Sequence, residues 1–80
     1  MATNTELDTA RRVAATYRAR LGEHEHGVVL IWDSEAYGWK NILRDPEHER
    51  PGVLAVDEDG HVYRAEGGDD WNGARVWVVA

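Results

Sequence analysis

Gly27-Val28-Val29-Leu30-Ile31-Trp32-Asp33 is the stretch whose reading decides the fold. Residues 28–32 form an unbroken apolar run closed by Gly27 on one side and Asp33 on the other. Its β-branched content and its length fit a central strand buried on both faces. A strand of that kind needs a layer above it, and the preceding residues supply one. Leu7, Ala10, Ala14, Tyr17 and Leu21 recur at steps of three and four, which draws one narrow apolar stripe along a helix at about 5–21. Thr5 with Asp8 resembles a capping box with a shorter acid, and Thr3 with Glu6 offers an equivalent start two residues earlier. Arg18 and Arg20 suit the negative end of the helix dipole, and Gly22 suits the left-handed residue that ends it.

Beyond the apolar run, Ser34-Glu35-Ala36-Tyr37-Gly38 reads as a turn. Trp39-Lys40-Asn41-Ile42-Leu43 then reads as either a strand or one helical turn. Arg44 to Gly52 is a loop, because Pro46 and Pro51 block ladder hydrogen bonds and Pro51-Gly52 is a turn pair. Val53-Leu54-Ala55-Val56 and His61-Val62-Tyr63-Arg64-Ala65 flank Asp57-Glu58-Asp59-Gly60, a strong hairpin signal. Gly67 to Gly73 connects to a closing strand at Ala74–Val79. The expected fold is therefore α+β: an N-terminal amphipathic helix packed on a three- to four-stranded antiparallel sheet. It forms a single domain over 1–80, β-rich at about 27–79.

Eighty residues give a core that is only marginally sufficient, so four Trp and three Tyr must supply much of the burial. A burial-limited domain gains from self-association, which makes a homodimer one expected state. With no Cys, disulfides and thiolate metal sites are excluded, and a reducing cytoplasm is the natural compartment. No apolar run approaches the roughly 18 residues of a membrane span, and Met1 to Thr5 lacks the blocks of a secretory signal.

Charge is divided unevenly along the chain. Residues 1–22 set two acids against four arginines, a net of +2, whereas residues 23–80 set thirteen acids against five basic residues, a net of −8. An acidic body disfavours direct nucleic-acid binding and favours basic protein surfaces. The densest carboxylates fall on turns: Asp57, Glu58 and Asp59 on the hairpin, Asp69 and Asp70 on the next connection, Glu47 and Glu49 in the proline-bounded loop. Each has the ordinary reading of a solvated turn acid. Trp71, beside Asp69 and Asp70, either folds back onto the core, the favoured reading in so small a chain, or stands out as an interface anchor. Tyr37-Gly38-Trp39-Lys40 carries the same ambiguity.

His24-Glu25-His26 offers two metal-ligand types, yet a site would need His48 or His61 to join, and a solvated loop is the favoured reading. Asp57-Glu58-Asp59-Gly60 lacks the ligand spacing of a calcium loop, and a hairpin turn explains it. No phosphate loop, nucleophile elbow or zinc-protease motif is present, so neither a catalytic residue, a metal nor a cofactor is expected.

Glu35-Ala36-Tyr37-Gly38-Trp39-Lys40-Asn41, followed by Leu43-Arg44-Asp45-Pro46 and by Pro51 to Gly60, resembles a segment of small acidic proteins from phages and mobile elements. It is similar to reading frames found around type I anti-CRISPR genes, over roughly residues 27–79. The resemblance implies an inhibitor in the cytoplasm of a bacterial host that binds a CRISPR effector (Cas) subunit and blocks capture of target DNA. Charge mimicry would be its physical basis, with turn carboxylates occupying the Lys and Arg contacts that otherwise hold phosphates. Glu47, Glu49, Asp57, Glu58, Asp59, Asp69, Asp70 and Trp71 are the candidate partner-binding residues. The alternative is a non-enzymatic interaction module, or a homodimeric accessory protein of a phage or mobile element, joined through the helix stripe or an open sheet edge.

Overall fold

The Val28–Trp32 run is strand β1 in a computed structural model that describes residues 2–22 and 26–80. Its first four residues are buried, with Val29 and Ile31 facing a helix and Val28 and Leu30 facing a layer of loops. The helix, α1, spans Asn4–Leu21. Thr3 is its N-cap and accepts the Glu6 N–H at 3.1 Å, so the earlier of the two capping pairs starts it. Gly22 ends it in the left-handed conformation at φ 69°, donating its N–H to Arg18 O.

Four further strands complete one antiparallel sheet: β2 (Glu35–Lys40), β3 (Leu54–Val56), β4 (Val62–Glu66) and β5 (Val76–Val79), in the order β2-β1-β3-β4-β5. The five strands exceed the expected three or four because the chain turns back sooner than the sequence suggests. Asp33 and Ser34 both take positive φ, 52° and 64°, the geometry of a two-residue hairpin turn. Residues 35–38, expected as a turn, are therefore strand, and the ambiguous 39–43 segment divides between the end of β2 and a run of bends. Asp33-Ser34 lacks the Gly that normally announces such a turn. A register shift between Leu30 and Ile31 then sets Tyr37 apart in the pairing.

Two cores result, one on each face of the sheet. On the helix side, Ala10 and Ala14 meet Val29, Ile31, Val56 and Val62, with Leu7, Tyr17 and Trp39 packed around them. On the other side Val28, Leu30, Val53, Ala55, Ala65 and Ala74 pack beneath Leu43 and Trp77. That second face is roofed by residues 41–53, which contain a 3₁₀ turn at Pro46–His48, and by residues 67–75. Among the described residues no helix is long and apolar enough to cross a membrane.

Candidate protein-binding face

The candidate acids do not form one strip. β4 runs between the Asp57–Gly60 turn and the 67–75 connection, so its five residues, at roughly 3.3 Å each, hold the two acidic groups about 15 Å apart at opposite ends of the sheet.

At the first end, Asp57 builds its own turn. Its Oδ1 accepts the N–H of Asp59 at 2.9 Å and of His61 at 2.8 Å, and its Oδ2 lies 3.2 Å from His61 Nδ1. Partial burial would raise the Asp57 pKa, but these donors outweigh it and hold the carboxyl below its usual range. Glu58 Oε2 lies 2.5 Å from His26 Nδ1. Ligand atoms of Asp57, Asp59 and His61 all lie within 4.8 Å of one another, the arrangement the hairpin itself imposes. In the His24-Glu25-His26 segment, His24 and Glu25 lie outside the described residues. Arginines from α1 reinforce this end: Arg11 Nε donates to Gly60 O at 2.7 Å, and Arg18 donates to the carbonyls of His26, Gly27 and Val56 at 2.9–3.1 Å. In the sequence they count towards the net charge of +2 over residues 1–22. Here they tie the helix to the sheet.

At the second end the expectation for Trp71 is overturned. Its side chain is 95% exposed rather than folded onto the core. Asp69 Oδ1 accepts the N–H of Trp71 at 2.9 Å and of Asn72 at 2.7 Å, while Asp69 and Gly73 exchange backbone hydrogen bonds at 3.3 and 2.9 Å. That side-chain turn closes too tightly for the chain to bring the ring inward. Donation from Asn72, through backbone and side chain, and then from Trp71, keeps the Asp69 carboxyl below its usual range. Gly73 has φ +83°, and a Cβ there would strike the carbonyl of Glu47, so the connection sits directly against the 3₁₀ turn. Asp69, Asn72 and Arg75 share an open hollow of about 420 Å³ with Glu47.

Asp70 extends this end towards Trp32. Arg50 Nη2 bonds Asp70 Oδ2 at 2.9 Å, and the same guanidinium lies 4.0 Å from the centroid of the Trp32 ring. Nothing in the sequence pairs Arg50 with Trp32; the return of the 41–53 loop across the sheet brings them together. Trp32, Tyr37, His48 and Arg50 line an open groove of about 390 Å³. The face thus combines a projecting Trp71, a half-exposed Tyr37 and a stacked Trp32 with the carboxylates of Glu47, Asp69 and Asp70.

Glu49 does not belong to it as a free acid. Only 7% of its side chain is exposed, 2.8 Å from Lys40 Nζ, and Tyr37 Oη donates to it at 2.5 Å. Lys40 also donates to the carbonyls of Arg44 and Asp45 at 3.0 and 3.1 Å. Burial first, and the Glu49 charge beside it, push the Tyr37 hydroxyl well above its usual range. Glu49 is a structural staple between β2 and the loop. Trp39 likewise packs against the helix-side core, with its Nε1 donating to His26 O at 2.6 Å.

Comparison with protein-family profiles, curated proteins and solved structures gives no match for this chain.

Proposed function

We propose that this domain is a non-enzymatic binding protein that occupies a basic, nucleic-acid-handling surface of a partner, acting as an inhibitor of the anti-CRISPR type in a bacterial cytoplasm. The observation that carries the reading is Trp71, fully presented on a turn whose Trp71 and Asn72 amides are held by the Asp69 carboxylate. Trp dominates binding hot spots, and a pre-ordered turn loses little conformational freedom on docking. Seating the ring in an apolar pocket would bring Asp69 and Glu47 against the Lys and Arg side chains that line a DNA channel, in place of phosphates. The acids at the opposite end, Asp57 and Asp59, would then raise the association rate through the net charge of −6 without touching the partner.

A pull-down with a type I effector complex, titrated with salt and with target DNA, tests the proposal. Binding should weaken as salt rises and should compete with DNA. Trp71→Ala should lower affinity at least tenfold while leaving the melting temperature unchanged, because the ring packs on nothing. Asp57→Asn with Asp59→Asn should change affinity less than threefold at physiological salt. Binding that is indifferent to Trp71→Ala would overturn this face as the contact surface, and salt-insensitive binding would overturn the mimicry.

A further inference from the structure

The two edges of the sheet differ in a way that points to a second copy of the chain. The outer edge of β2 is blunted: its pairing is broken by the register shift, it begins at Glu35, and it ends at Lys40. The outer edge of β5 has none of these devices. Val76-Trp77-Val78-Val79 holds no charge and no proline, pairs only with β4 among the described residues, and leaves Val76 48% and Val79 80% exposed. The packing of α1 runs over β1 to β4.

Backbone direction and side-chain faces fix how such an edge can be filled. Ala80 N–H donates inward to Val62 O at 2.9 Å, so the alternation of the ladder turns the amide groups of Trp77 and Val79 to the open side. Val78 pairs with Arg64, two residues from Val62, and so lies on the helix face; Trp77 and Val79 lie on the opposite face with Ala65 and Tyr63. We infer that β5 pairs antiparallel with β5 of a second copy about a two-fold axis at Val78, joining two sheets into one of ten strands. In that register each Trp77 lies opposite the partner's Val79, an aromatic–β-branched pair made twice, and the exposed valine is covered. Val78 faces its own equivalent as a non-hydrogen-bonded pair. Residues 74–80 contain no acidic side chain, so the contact forms where the acidic chain repels itself least. The interface is isologous and closed, stopping at two copies.

Because the chain has no cysteine, one introduced thiol reports the register directly. Under mild oxidation Val78→Cys should form a covalent dimer, the Cα separation of such a pair suiting a disulfide, whereas Val76→Cys should give at least tenfold less. In sedimentation over a concentration range the unmodified chain should shift towards twice its mass, and Val79→Pro should raise the dissociation constant at least tenfold. Proline there removes an outward N–H that the monomer does not use. Val79→Lys, a change at an exposed side chain, should also weaken the dimer, and circular dichroism confirms that either variant is folded. A chain that stays monomeric near 1 mM, a dimer unaffected by both substitutions, or equal cross-linking at 76 and 78 would overturn the pairing. Loss of the dimer with effector binding retained would separate this inference from the proposed function.

Discussion

The carboxylate of Asp57 receives two amide N–H groups of its own turn, at 2.9 and 2.8 Å, and so closes the β3–β4 hairpin from within. Its pKa is lowered in the folded chain, which fixes the sign of its effect on stability. The contribution is complete above the unfolded value of about 3.9 and is lost as the pH falls through the lower folded value. Asp57→Asn should therefore be less stable than the parent by about 1 kcal/mol at pH 7, the difference between a charge-assisted and a neutral hydrogen bond, with the difference shrinking below about pH 4. Urea unfolding at several pH values measures it; a difference constant from pH 2 to 7 would reject this role. Asp57-Glu58-Asp59-Gly60 was legible as a turn from its residue types. The internal use of its carboxylate was not, because an acid that bonds its own backbone and one that faces solvent look alike in a sequence. Trp71 was misread for a related reason. Scarcity of apolar mass argued for burial, but Asp69 and the Asn72-Gly73 pair close the chain too sharply for the ring to return.

At the scale of elements, the loop over 41–53 is held to β2 by Lys40, whose ammonium meets Glu49 at 2.8 Å and two loop carbonyls. Both side chains are about nine-tenths buried, so removing one partner leaves the other charged and desolvated. Lys40→Met should cost about 3 kcal/mol, seen as a lower urea midpoint with little change in slope. Lys40→Met combined with Glu49→Leu should recover at least half of that loss. A single variant as stable as the parent would show that the pair does not hold the loop. The helix, the β1 strand, the β3–β4 hairpin and the closing strand all followed from local signals that agree with their period. β2 did not, because Asp33 and Ser34 adopt left-handed φ without glycine, and because an edge strand carrying Gly38 has no clear alternation. The staple was equally hidden, since Lys40 and Glu49 are brought together only by the loop's return.

For the whole molecule, the order β2-β1-β3-β4-β5 separates the chain into two local units. One holds α1 and the β1–β2 hairpin, and the other is the β3-β4-β5 meander. Within the sheet they meet at a single ladder, Val29–Ile31 against Leu54–Val56, whose partners are 23 to 27 residues apart in sequence. Closing the longest loop is the entropic hurdle of folding, so the transition state should contain that ladder before β5 is in place. Ile31→Val, at a fully buried position on the seam, should slow refolding, whereas Val78→Ala should chiefly speed unfolding. Denaturant-dependent folding kinetics would decide this, and a Val78→Ala effect confined to the refolding limb would reverse the order. The late arrival of β5 also has a cellular meaning. During that interval the β5-facing side of β4 and the Val-Trp-Val-Val segment stand unpaired, so newly made chains are most exposed to wrong association through the strand that, once docked, offers the sheet's least guarded border.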